Sequence, residues 1–279
     1  MSSLSIIFYL EKSQFLPIYM NIEPAENLWL NQPYMESGNY NEISKIYDGV
    51  REGDLTLAQR LMRVIPFRPG MRVLDIGCGT GNHTDLFQKL TQVEVYGIEP
   101  SAGMLAKARQ KNEHIIFKTG QADSIPFGDN FFDFVYMTDV IHHLPDIKAM
   151  FVEIWRVLNP GGMACVVTQS HQQIENRPIA RYFPGTVEVD KTRYPDISKI
   201  IAVAKSCGFI QAECETYLEV PFELDASYLE LVRKKGYSML HLIPDEEYRA
   251  GLQALEQALG NEPVTVQPSG ETLVWFKKP

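Results

Sequence analysis

The sequence predicts an α/β fold: a doubly wound, mostly parallel seven-stranded sheet with helices on both faces and helical cap insertions. Three observations carry this. The apolar run Val73-Leu74-Asp75-Ile76 passes straight into alternate glycines, Gly77-Cys78-Gly79-Thr80-Gly81, and then into an amphipathic stretch with Leu86, Phe87 and Leu90. Short apolar runs and helical-period segments go on alternating as far as Thr168, the pattern of parallel strands joined by right-handed helical crossovers. Residues suited to binding or proton transfer fall just after those runs, where open parallel sheets place their ligands.

In chain order, residues 1–40 mix aromatic and polar residues without clear period, which predicts a partly ordered extension; Met20 within it is an alternative start. Residues 41–70 predict lid helices, one from Asn41 to Tyr47 and one from Asp54 to Ile65 with Asp54 as cap and Leu57, Leu61 and Val64 on one face. Pro69-Gly70 then launches a core spanning 71–220. Its strands fall at about 72–76, 93–98, 114–118, 132–138 and 163–169, alternating with helices at about 82–90, 101–112 and 146–158. Ile147, Met150, Phe151, Ile154 and Leu158 set the last of these helices on the sheet. After Thr168 the rhythm lapses through Asn176-Arg177-Pro178 and Arg181-Tyr182-Phe183-Pro184-Gly185, then resumes with a helix at 196–207 and a strand at 209–217. A helical cap insertion over 221–270, with helices at about 225–240 and 244–259, precedes the final strand in 271–279. The N-terminal helices and these inserts are expected to roof the site, and no repeat or low-complexity tract interrupts them.

A chain of 279 residues is ample for one catalytic domain with an added cap, although length alone also allows two small domains. A net charge of −9 opposes nucleic acid and anionic membranes as partners, since both are held largely by cationic contacts; a local basic patch stays compatible with it. Cys78, Cys165, Cys207 and Cys214 lack pairwise metal spacing and predict buried thiols rather than a metal or arsenic site. The apolar stretch Ile6 to Leu10 is short, has no basic leader and is broken by Glu11 and Lys12, so neither a secretion signal nor a membrane span is expected there. These features predict a soluble cytoplasmic enzyme acting on a small-molecule substrate, and leave its oligomeric state open.

Glycines at alternate positions let the backbone turn sharply and approach a ligand, while the following helix start offers free N–H groups and the positive helix end. Alone, that turn fits a nucleotide-like ligand, a phosphate cradle or a close-packed turn with no ligand. The second apolar run, Val93 to Ile98, ends in Glu99, twenty positions after Gly79, where a carboxylate at a strand tip accepts from two ribose hydroxyls. A dinucleotide fingerprint needs a glycine where Asn82 stands, and no Walker lysine follows.

With these residues the chain resembles the class I S-adenosylmethionine-dependent methyltransferases. Val73 to Gly81 looks like their first motif, and Tyr96-Gly97-Ile98-Glu99-Pro100-Ser101 with Met104-Leu105 looks like their second. Gly120 to Phe127, Phe131 to Val135, His142-His143-Leu144-Pro145-Asp146 and Arg156 to Gly162 continue the likeness, in order and spacing, to the branch that includes quinone-biosynthesis C-methyltransferases. The likeness covers roughly Val73 to Thr168, and more weakly the flanks.

The resemblance implies a Rossmann-like core with S-adenosylmethionine as cofactor and S-adenosylhomocysteine as product. It assigns Gly77, Gly79 and Gly81 to the cofactor loop, where any side chain is expected to push the ligand away, and Glu99 to the ribose. Asp75 either meets the cofactor's ammonium group, directly or through water, or caps the turn. Pro100 and Ala122 are assigned to the cofactor, and Met104 either packs on the adenine ring or belongs to the core. Asp123 matches the acceptor of the adenine amino group, or forms an Asx turn before Pro126. Thr138, Asp139, His142 and His143 follow the fourth strand, and either histidine suits a general base, the two being indistinguishable from sequence. Tyr40 and Tyr47 resemble lid tyrosines, with Tyr47 placed on the cofactor; Arg181 either pairs an acidic substrate or lies on an aromatic cluster facing solvent. His171 and His241 fall in the expected roof. Thr138-Asp139-Val140-Ile141 replaces the Asn-Pro-Pro-aromatic motif of some amino-methylating enzymes, which favours oxygen or carbon as acceptor. Two other readings stand beside methyl transfer: cofactor binding without it or with another group transfer, and an NAD-dependent oxidoreductase.

Overall fold

The computed structural model describes residues 53–218, 220–261 and 264–279. Its main sheet contains β1 Arg72–Ile76, β2 Glu94–Glu99, β3 Ile116–Thr119, β4 Phe132–Thr138, β5 Leu158–Thr168, β6 Ile210–Tyr217 and, at the end of the chain, β9 Glu271–Lys277. The strands lie in the order β3-β2-β1-β4-β5-β9-β6. The first five are mutually parallel, and β9 is antiparallel to both β5 and β6. The strand order reverses at β1 and β4, the point at whose carboxyl edge open parallel sheets hold their ligands.

The helices are α1 Leu55–Val64, α2 Asn82–Thr91, α3 Ala102–Lys111, α4 Ile147–Val157, α5 His171–Glu175, α6 Gly185–Arg193, α7 Ile197–Ser206, α8 Ala226–Arg233 and α9 Asp245–Asn261. Asp54 caps α1 by accepting from the Thr56 and Leu57 N–H groups, and Ser101 caps α3 by accepting from Met104 N. Each sheet face buries its own core. Leu74, Ile76, Met137 and Val166 meet Ile154 of α4 and Ile200 of α7; Val73, Phe134, Tyr136 and Trp275 meet Leu57 and Leu61 of α1 and Phe87 of α2. Burying side chains of this size stabilises by about 1.5–3 kcal/mol each, which holds the strand tips rigidly for the site.

Several elements differ from the sequence expectation. The stretch where the rhythm lapses holds α5, a 3-10 turn at Pro178–Arg181 and α6. The helix expected to run to 240 stops at Arg233, because Lys235 takes a positive φ of 49° that ends the ladder, and a 3-10 turn follows at Ser238–His241. The cap expected to be helical also contains an antiparallel ribbon of β7 Phe222–Leu224 and β8 Val264–Val266. β5 starts earlier than the apolar run suggests, since Gly161 N donates to Lys278 O and Lys278 N to Gly162 O, drawing the turn into the ladder. A third core closes the cap, from Tyr182 and Phe183 to Val232, Leu240 and Leu255. The expected helix from Asn41 to Tyr47 lies outside the described residues. Among the described residues no helix is long and apolar enough to cross a membrane.

Candidate active site

The floor of the crevice is the loop between β1 and α2. Gly77 N and Cys78 N both donate to Ile98 O, at 2.8 and 3.0 Å, which pins the loop to β2. Gly77, Gly79 and Gly81 all hold positive φ, at 72°, 55° and 79°, a region glycine enters without penalty. A side-chain carbon at Gly77 would lie 2.4 Å from Val140 Cγ2, and one at Gly81 3.2 Å from Ala108 Cβ. At Gly79 it would meet nothing within 4 Å. Side chains at Gly77 and Gly81 would thus crowd Val140 and Ala108, while one at Gly79 would enter open space.

Two carboxylates flank that loop. Glu99, at the tip of β2, accepts from Gly79 N at 3.2 Å through Oε2 and from Ser101 N at 2.9 Å through Oε1, which fixes its plane. Burial pushes its carboxyl up, against those two donors. Asp75 Oδ2 accepts from Thr84 Oγ1 at 2.7 Å and Tyr136 OH at 3.0 Å. Burial, opposed by those two hydroxyls, pushes Asp75 up to about 7, with the Glu99 charge adding to the rise. No described lysine or arginine pairs with either carboxylate or lowers its pKa. The floor therefore buries two acidic groups without a cation among the described residues.

The other expected cofactor residues surround this loop. Met104 is buried in the first turn of α3, and Pro100 is exposed between it and Glu99. Ala122 and Asp123 form the tip of a turn closed by Ser124 N donating to Gln121 O; Ala122 is buried and Asp123 exposed. No side-chain hydrogen bond from Asp123 marks an Asx turn, so its carboxylate stays available as an acceptor. Thr138 ends β4 with its Oγ1 buried and without a described partner. Tyr40 and Tyr47 lie outside the described residues.

Opposite the floor, Asp139 takes a positive φ of 55° and leads into a 3-10 turn, Ile141–His143. That turn separates the two histidines, since His142 is buried and His143 half-buried, with ring centres 4.0 Å apart. The Tyr194 ring stacks on His142 at 4.1 Å and an interplanar angle of 9°. Tyr194 is in turn held by His171 Nε2, which donates to its carbonyl at 2.9 Å. Burial and the nearby Asp139 hold the Tyr194 phenol well above its usual range, so it stays protonated. Arg177 donates through Nε to Gln169 Oε1 at 2.5 Å and through Nη1 to Asp190, with its Cζ 5.0 Å from the Tyr194 ring centre. Arg181 is exposed over the Tyr182 ring, and His241 pairs with Lys235 O, away from the histidine turn. Tyr194, Gln169 and Asp190 were not expected from sequence; they follow no periodic run, and only the packing of α6 against the histidine turn brings Tyr194 to His142 and, through Arg177, the other two near it.

S-adenosylmethionine fits this arrangement on two observations: uncompensated acids for its cationic groups, and an open backbone face at Gly79. No group of three or more His, Cys, Asp or Glu able to hold a metal occurs among the described residues.

Comparison with known proteins places this geometry in a wider group. The family model for the methyltransferase domain matches residues 74–166, the strands and turns just described. A trans-aconitate 2-methyltransferase of Deinococcus radiodurans is 36% identical over 43% of this chain and 46% of its own length. A demethylmenaquinone methyltransferase of Staphylococcus aureus is 35% identical over 46% of this chain and 58% of its own. The chain thus spans about half the length of these curated relatives. Among solved structures, phosphoethanolamine N-methyltransferase 2 of Haemonchus contortus, with phosphomonomethylethanolamine and S-adenosylhomocysteine, shares the fold at a TM-score of 0.55 and 20% identity, over 86% of this chain and 57% of that one.

Proposed function

From the premise that this chain carries a class I S-adenosylmethionine-dependent methyltransferase domain, we propose that it methylates oxygen or carbon on a small, partly apolar or aromatic metabolite. The observation that carries the reading is the pair Asp75 and Glu99, buried around the glycine loop with no described cation beside them. Burying an unpaired carboxylate costs several kcal/mol, and a cationic ligand returns part of that cost.

S-adenosylmethionine, when bound, supplies a methyl group on an electron-poor sulfonium. Glu99 would accept from the ribose hydroxyls, its plane already set by Gly79 N and Ser101 N. Asp75 would hold the ammonium group, directly or through water, and Asp123 the adenine amino group, with Pro100, Met104 and Ala122 around the ring and Gly77, Gly79 and Gly81 shaping the loop. Thr138 Oγ1, buried without a described partner at the end of β4, would offer a hydroxyl to the cofactor's amino-acid end, and Tyr47 would cover it.

The nucleophile belongs to the acceptor, so the chain's task is to position it, exclude water and, for a hydroxyl acceptor, remove one proton. An imidazole nitrogen of His142 or His143 would take that proton. Tyr194 remains protonated and serves to orient the His142 ring rather than to act as base.

A second reading keeps the cofactor without methyl transfer, because the floor supports binding and says nothing of turnover. Incubating the full chain with S-adenosylmethionine and a metabolite extract, then measuring S-adenosylhomocysteine by mass spectrometry, separates the two. Extract-dependent product is expected. Calorimetric titration showing tighter binding of a nicotinamide dinucleotide than of S-adenosylhomocysteine would overturn both in favour of an oxidoreductase.

A further inference from the structure

The roof of the crevice has a charge pattern opposite to that of its floor. Asp190 accepts from two guanidiniums at once, from Arg177 Nη1 and from Arg193 Nη1 at 3.0 Å. All three side chains are largely buried, with exposures of 13%, 17% and 2% for Arg177, Arg193 and Asp190. Arg193 spends its second amino group on Ser238 Oγ at 3.1 Å, and Arg177 spends Nε on Gln169. Arg177 also hydrogen-bonds the Tyr194 phenol, a neutral group, and beyond Gln169 and Asp190 its side chain donates to no carbonyl or carboxylate oxygen among the described residues. A further acid, Asp139, acts on the Tyr194 phenol. The cluster thus holds two cations on one carboxylate, with a planar donor left without an anionic partner beside Tyr194, whose ring stacks on His142.

We propose that Arg177 determines the acceptor, its remaining amino group binding an oxyanion beside His142, so that the methylated metabolite is a small carboxylic acid. The proposal rests on the methyltransferase reading for the place of the acceptor. Gln169, just after β5, and Asp190, on α6, fix the plane of the guanidinium, so the remaining N–H groups point in a set direction before any ligand arrives. The acidic-substrate role considered for Arg181 moves to Arg177, four residues earlier, because Arg181 is solvent-facing.

The test titrates the full chain, saturated with S-adenosylhomocysteine, with 4-hydroxybenzoate and with 4-hydroxybenzamide at mildly alkaline pH. The two probes have nearly the same shape and differ in charge. The acid is expected to bind about tenfold more tightly or better, the scale of one charge-assisted hydrogen bond. Arg177→Gln should abolish that preference, while Arg181→Gln retains it and neither changes S-adenosylhomocysteine affinity. Should Arg177→Gln fail to fold, Arg177→Lys, which keeps the charge and loses the planar fork, should cut the preference by about threefold or more. Equal affinities in the wild type, or a preference that survives either Arg177 variant in folded form, overturns the proposal. Absence of S-adenosylhomocysteine binding to the wild type instead overturns the cofactor reading on which it rests.

Discussion

At the floor of the site Asp75 and Glu99 are buried with no described cation, whereas at the roof one buried carboxylate, Asp190, serves two arginines. The floor is built from backbone: amide groups of Gly79 and Ser101 hold Glu99, and Ile98 O holds the loop. The roof is built from side chains, Arg177, Gln169, Tyr194 and His142, held by one another. A backbone cradle tolerates few substitutions and reads a part of the ligand that never varies. A side-chain cluster can be rebuilt residue by residue, which suits the part that chooses among acceptors.

The widest gap between the two regions should come from Gly77→Ala. Its new methyl enters a positive-φ position and overlaps Val140, so a loss of about 2–4 kcal/mol in denaturant unfolding of the ligand-free chain is expected. Gly79→Ala, facing open space, should lose only about 1–2 kcal/mol of stability and act mainly on cofactor affinity. Equal unfolding losses would break the distinction between packing and ligand-facing glycines. At the roof, His142→Gln should lower kcat about 100-fold on a hydroxyl acceptor and remove the acid limb of the pH–rate profile. An unchanged profile would transfer the proton to His143. Glu99→Ala should weaken S-adenosylhomocysteine binding by about 1–3 kcal/mol in calorimetry, and unchanged affinity would count against the floor as described.

A further expected effect is a change of pH slope. Asp75 rises from the usual carboxyl value of 3.8 to about 7 on folding, so between those values the fold retains a proton that the unfolded chain has released. Its contribution to stability is thus fully present below 3.8 and is lost as pH climbs to about 7. Affinity for a cationic ligand runs the other way, increasing as Asp75 ionises. Asp75→Asn should flatten both trends, and a variant with both slopes intact would show that another group is titrating.

The floor was legible in sequence because its chemistry is local. Positive φ at alternate positions demands glycine, and a carboxylate that ends an apolar run, as Glu99 does, is a costly placement that only a ligand or a backbone donor offsets. The strands and their order of appearance were legible for the same reason. The roof was not. Arg177 and Arg181 lie four residues apart in one proline-bounded stretch, and only the fold turns one inward and the other to solvent. Tyr194 reaches His142 across 52 positions, a contact no periodicity encodes. The three-residue strands β7 and β8 are too short to leave an alternating pattern.

The seat of β9 between β5 and β6 has a consequence for biosynthesis. The whole cap leaves the ribosome before Glu271–Lys277 does, yet Trp275 and Phe276 of that strand are fully buried within the sheet. Until they emerge, β5 offers a bare hydrogen-bonding edge through Ala164 and Val166, the kind of template on which nascent chains aggregate. Translation stalled within the cap should leave a protease-sensitive, chaperone-bound intermediate, which the next few tens of residues convert into a closed sheet.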